Sequence, residues 1–167
     1  MSETKALPRI RSFEAALPIA LLRARAATAS KFKPHTDAQG LSLPQWRVLR
    51  ALAGGEALDS RTIAYRCALL PPSVSRIVRS LQDRGLIAPG DAPDYRTRPL
   101  QLTEAGQAVF AKVAVLSEAT YLDIEKAFGR ERLANLLSEL GALTGICESL
   151  PALPLPETLA TLTENDR

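Results

Sequence analysis

The sequence is poor in the residues that build reactive sites. Its 167 residues include two cysteines, one histidine, one methionine and one tryptophan, and aromatic side chains make up 5%. Cys67 and Cys147 lie in apolar surroundings and share no metal-ligand spacing with each other or with His35, so neither zinc nor any other cofactor is expected. No nucleophile, base and orienting group recur at usable spacing, and no carboxylates pair up, which argues against an enzyme. No apolar run approaches the roughly 18 residues a membrane span needs. The opening MSETKALPRIRSF has no apolar segment of the secretory kind. These absences lead to the expectation of a cytoplasmic protein with reduced thiols and no membrane partner.

What is abundant is aliphatic side chain and unevenly placed arginine. At 46% hydrophobic residues the chain can bury a core of its own, and its length suits one domain with extensions. Residues 17–150 read as that domain, between a mixed polar and basic arm (1–16) and a proline-rich tail (151–167). The net charge is only +3, yet Arg61, Arg66, Arg76, Arg79, Arg84, Arg96 and Arg98 fall in one stretch against Asp83, Asp91 and Asp94. A local basic patch of this kind is the footprint of a polyanion partner.

Hydrophobic spacing and punctuation divide the domain into six helices and a hairpin. A first helix runs from Leu17 to about Thr36, with Pro18 in its first turn, and QGLS ends it. Leu43 to Ala53 makes a second, closed by Gly54-Gly55. Asp59 and Ser60 cap a short third helix through about Arg66. After ALLPP, Val74, Ile77, Val78 and Leu81 fall at i, i+3, i+4 and i+7, so a fourth helix runs to the stop at Gly85. LIA and RPLQL read as two short strands around a loop tip at about Gly90 to Arg98. Thr103 caps a long fifth helix to about Phe128, with Glu104 in its first turn. A sixth, from Arg130, carries Leu133, Leu136, Leu137, Leu140 and Leu143 on one stripe. His35 reads as a solvated residue at a helix end.

Short helix, turn, helix and a two-stranded wing is the order of a winged helix-turn-helix, whose second helix enters the major groove of DNA. The fold class is therefore mainly α with a small β-hairpin: a winged helix-turn-helix over residues 43–102, flanked by helical regions over residues 17–42 and 103–150. On the fourth helix Pro72, Ser75, Arg76, Arg79 and Asp83 lie opposite the apolar stripe. Its N-terminal end carries the small hydroxyls of Ser73 and Ser75, which allow close approach. Its arginines can fork onto guanine or onto phosphate. Taken alone, that face would equally suit a solvated helix.

PPSVSRIVRSLQDRGLI followed by DYRTRPLQLTEAG resembles the MarR family of winged-helix regulators, with Asp94, Arg96, Leu102, Thr103 and Gly106 at that family's positions for aspartate, arginine, leucine, threonine and glycine. ALLRARAATASKFKP and LPQWRVLRAL look like the subgroup that represses operons for homoprotocatechuate and related aromatic-acid breakdown. The likeness spans roughly residues 17 to 145, and the wing departs from it at Tyr95 and Pro99. It implies that Arg96, with Arg98 beside it, reaches the minor groove from the wing tip and that Asp94 holds the wing in shape. A guanidinium on a loop suits a narrow, negative groove. The resemblance also implies a homodimer built from the first, fifth and sixth helices, bound to double-stranded DNA at a near-palindromic operator.

A small aromatic acid is the effector such a likeness implies. Arg25, Trp46 and Arg47 are candidates to supply a cation and a ring surface for it. Trp46 fits a core position as well, and Arg47 a surface or phosphate-contacting one. Two other functions stay open: a thiol-responsive regulator acting through Cys67, which precedes the turn into the fourth helix, and a winged-helix module that binds protein instead of DNA.

Overall fold

Proline sets where three of the helices begin. The computed structural model describes residues 11–90 and 99–152. In it α1 (Leu17–Asp37) and α2 (Leu43–Leu52) each carry a proline in the first turn, as does α4 (Pro71–Asp83), which follows the short α3 (Ser60–Arg66). A proline there gives up an N–H that would have no partner and brings a backbone angle already suited to the helix. Ser42 and Gln45 form a reciprocal capping box at α2. The Asp59 carboxylate accepts the Thr62 N–H at 2.6 Å to start α3. Hydrogen bonds from Thr62 hold its carboxyl below the ordinary carboxylate range.

The wing is a two-stranded antiparallel pair, β1 (Ile87–Pro89) and β2 (Leu100–Leu102), in the register Ile87 to Leu102 and Pro89 to Leu100. Each strand begins later than its sequence pattern indicates, by one residue and two, and the expected tip at 91–98 lies outside the described residues. Leu58, just ahead of α3, exchanges two hydrogen bonds with Leu100, at 3.0 and 2.8 Å. That pairing ties the wing back to the start of the helix-turn-helix, and no local pattern announces it.

The core is assembled where α2, α3, α4, the wing and α5 (Glu104–Phe128) meet. Val48, Leu49, Ile63, Val74, Leu81 and Val113 are its most deeply buried members. The end of α1 is pinned to α5: Phe32 and Tyr121 rings lie 4.9 Å apart, and His35 Nε2 meets Thr120 Oγ1 at 2.8 Å. His35 is thus a half-buried bridge between helices and not a solvated helix end. The hydrogen bond to Thr120, 85 residues away, is what holds it.

The chain divides into two compact units, one up to Leu122 and one from Asp123. The second holds the last turns of α5 and α6 (Arg130–Ser149), which begins after Gly129 at φ +99°. Within it Arg130 pairs with Glu125 at 3.0 Å, and Arg132 lies over the Phe128 ring at 4.5 Å. None of the residues of α6 is buried. The class read from the sequence, mainly α with a small hairpin, is the class observed.

The wing joins α5 through Thr103 and Gly106. Thr103 donates its hydroxyl to the Gly85 carbonyl at 2.6 Å and accepts the Gly106 N–H at 3.0 Å, while its own N–H donates to the Leu86 carbonyl at 3.1 Å. A Cβ on Gly106 would stand 2.0 Å from that same Leu86 oxygen. The Leu-Thr and glycine of the motif are therefore geometric requirements of the junction. Gly106→Ala should cost roughly 1–3 kcal/mol or more of stability by overpacking against backbone. Thermal unfolding would read it as a clear drop in Tm, and an unchanged Tm would mean the junction yields.

Candidate nucleic-acid interface

α4 is presented by its back. Val74 and Leu81 are buried and Ile77 and Val78 pack against the same core, so the opposite face is left outward. That face opens a shallow groove of about 420 Å³ lined by Ser75, Arg76, Arg79, Ser80, Asp83 and Arg84. Ser75, Arg76 and Arg79 are exposed and Ser73 is half-buried. Arg76 and Arg79 have no side-chain partner among the described residues, which leaves ten guanidinium N–H donors, about five each, turned to solvent. The Ser75 hydroxyl donates to the Pro71 carbonyl at 3.3 Å, so outward it offers lone pairs only. Asp94, Arg96 and Arg98, the wing-tip candidates, lie outside the described residues.

The basic patch counted along the chain is smaller in space. Arg66 is spent on Glu56 at 3.2 Å. Arg84, which closes α4, donates to the Gly40 carbonyl at 2.8 Å and to the Gln39 carbonyl at 3.0 Å. Its fork bolts the end of the helix to the turn between α1 and α2. A second tie, from Gln45 Nε2 to Ser80 Oγ at 3.1 Å, lies one turn earlier. Arg84 therefore holds the helix in place although it borders the groove, a role its sequence position does not signal.

The three candidates for an acid-binding pocket are not brought together as a cavity. Trp46 is 6% exposed and stacks on Phe110 with ring centroids 5.2 Å apart, which makes it a member of the core. Its spacing to Leu49, i to i+3, was the available sign. Arg47 donates to the Cys67 carbonyl at 2.6 Å, so its guanidinium is already engaged. Arg25 is exposed on α1. All three are absent from the lining of the groove on α4 and of a cleft of about 160 Å³ between Leu52, Gly55, Gln101, Gln107 and Phe110. Among the described residues no group of His, Cys, Asp or Glu could hold a metal ion, and no helix is long and apolar enough to cross a membrane.

Comparison with known proteins converges on one group. Residues 39–96 match the model of the MarR family. The chain is 36% identical over 131 residues to the homoprotocatechuate degradative operon repressor of Escherichia coli, covering 76% of this chain and 88% of that protein. It superposes on NadR in complex with 4-hydroxyphenylacetate with a TM-score of 0.72 at 29% identity, over 81% of this chain and 97% of that one. On CouR bound to a 23-mer DNA duplex the TM-score is 0.70 at 26% identity, over 82% and 99% of the two chains.

Cys67 terminates α3 against the core and is 4% exposed. Burial pushes its thiol up, and the Arg47 guanidinium pulls it only part of the way back. Thiolate is the reactive form, so this site is built against reactivity. Cys147 is exposed. A maleimide titration of the folded protein should modify Cys147 quickly and Cys67 only slowly, with both reacting alike in denaturant. Fast labelling of Cys67 in the folded state would restore the thiol-responsive alternative.

Proposed function

The chain belongs to the MarR family, and we propose that it acts as a homodimeric repressor of an operon for aromatic-compound breakdown, released from its operator by a small aromatic acid. As a MarR-type transcriptional repressor it is a regulator and not an enzyme. The observation that carries the DNA-binding reading is the outward face of α4, where Ser75, Arg76 and Arg79 border an open groove and neither arginine forms an ion pair among the described residues. In this role α4 lies in the major groove, with Arg76 and Arg79 reaching guanine edges or phosphates and Ser73 and Ser75 allowing close approach. The wing adds Arg96 and Arg98 at the minor groove, with Asp94 shaping the loop. On this reading the protein acts in the cytoplasm.

The dimer is supported by apolar surface that a lone protomer leaves wet. Leu17, Leu21 and Leu22 of α1, Val115, Leu116 and Leu122 of α5, and Leu136, Leu137 and Ile146 of α6 are all large and exposed. Soluble monomers rarely tolerate so much of it without use. A two-fold dimer would set two α4 helices on one face of the duplex, matching a near-palindromic site with half-sites about one turn apart. Leu137 is 60% exposed, so Leu137→Asp should leave the protomer folded. It should shift sedimentation from dimer to monomer at micromolar concentration. A parent protein that sediments as a monomer would overturn the assembly.

Two relatives support the effector class: one is the homoprotocatechuate degradative operon repressor, and a structural neighbour is in complex with 4-hydroxyphenylacetate. With Trp46 and Arg47 committed elsewhere, Arg25 is the cation of the three that remains to meet a carboxylate. The test is binding to the DNA upstream of its own gene with a panel of aromatic acids. One or more acids should weaken the complex at least tenfold, and Arg25→Ala should keep operator affinity while losing most of that response. If no acid shifts binding, the sensing half of this reading falls. If no sequence-specific binding occurs, the whole of it does.

A further inference from the structure

The first turn of α4 differs from an ordinary helix start. Helix N-termini present up to four free backbone N–H groups, which is why they attract phosphates and other anions. Here three of the four, those of Pro71, Pro72 and Ser73, are removed or already paired. Pro71 and Pro72 have no N–H. The Ser73 N–H donates to the Leu70 carbonyl at 2.9 Å, and the Val74 N–H to the same oxygen at 3.1 Å. No side chain caps the helix.

What the turn does present is apolar. Leu70 at the cap is 74% exposed, and Pro71 and Pro72 are exposed beside it. Pro72 precedes Ser75, Arg76 and Arg79 by three, four and seven residues, so its ring lies on the same outward stripe, about one turn before Arg76 and two before Arg79. Set against phosphate, this edge would strip water from an anion and return no hydrogen bond, which is costly. Set against base edges in the major groove, it meets one apolar feature there, the C5-methyl group of thymine.

We infer that Pro72, flanked by Leu70, is a specificity-determining contact that reads a thymine methyl in each operator half-site. The contact falls about one or two base pairs from the base met by Arg76, since one helical turn rises about 5.4 Å and base pairs stack about 3.4 Å apart. The inference rests on the DNA-binding reading above and adds a chemical preference to it.

The experiment selects binding sites from a random duplex pool and then replaces each thymine of the selected site, one at a time, by deoxyuridine. That change removes the methyl and leaves base pairing intact. The parent protein should lose roughly fourfold in affinity, the worth of one buried methyl-sized group, at one position in each half-site. Pro72→Ser, which keeps a residue suited to a helix start, should bind the thymine and uracil duplexes equally. Leu70→Ser, which adds a capping hydroxyl and so protects the fold, should narrow the difference. Specific binding with no methyl dependence at any position overturns this inference alone, as does a thymine preference that survives both substitutions. Absence of any sequence-specific binding removes the DNA-binding reading together with it.

Discussion

Arg84 spends its charge on its own protein, and the presentation of α4 depends on that expense. Two donors of its guanidinium meet the carbonyls of Gln39 and Gly40, where the chain turns out of α1. A rigid fork that makes two hydrogen bonds fixes direction as well as distance. The buried stripe of α4, Val74 to Leu81, sets which face points out. The fork and the Gln45 to Ser80 bond supply the directional part. Gly40, at φ +60°, lets the turn close so that its carbonyl meets the fork.

With the helix held from behind, the outward face can stay unpaired. Arg76 and Arg79 remain solvated and available, while Arg47, Arg66 and Arg84 are consumed within the protein. An internal bond to either outward arginine would have to be broken before any polyanion could be met, so leaving both free removes a cost of binding. The first turn has lost donors at Pro71 and Pro72 and presents exposed apolar side chains instead. Positive charge and apolar edge are thereby separated by one turn along a single helix.

Much of this was legible in the sequence because it is local. The i, i+3, i+4, i+7 stripe of Val74, Ile77, Val78 and Leu81, the prolines at helix starts, and the Thr103 cap all declare themselves within a few residues. The outward grouping of Ser75, Arg76 and Arg79 follows from the same geometry. What was not legible joins distant positions: Leu58 to Leu100, His35 to Thr120, Arg47 to the Cys67 carbonyl, Arg84 to Gln39 and Gly40. A guanidinium reads the same in sequence whether it will face DNA or a carbonyl. For that reason the count of arginines overstated the patch, and Arg47 and Trp46 were read as pocket candidates although packing claims both.

The same long-range ties define how a signal at α1 would reach α4. Residues Phe32 and His35 fasten the last turns of α1 to α5, and Arg50 joins α2 to Tyr121 of α5 at 3.1 Å. Immediately beyond that anchored stretch come Gln39 and Gly40, the acceptors of the Arg84 fork. A shift of this turn must either carry Arg84 and the end of α4 with it or break two charge-assisted hydrogen bonds. The fork thus couples the turn to the end of α4, so a displacement of one is passed to the other as long as these bonds hold. An effector that bound one position of α1 more tightly than another would therefore bias the angle of α4. The size of that bias is capped by its difference in affinity for the two arrangements, whatever its total affinity. A tenfold effect on DNA binding thus needs about 1.4 kcal/mol of discrimination.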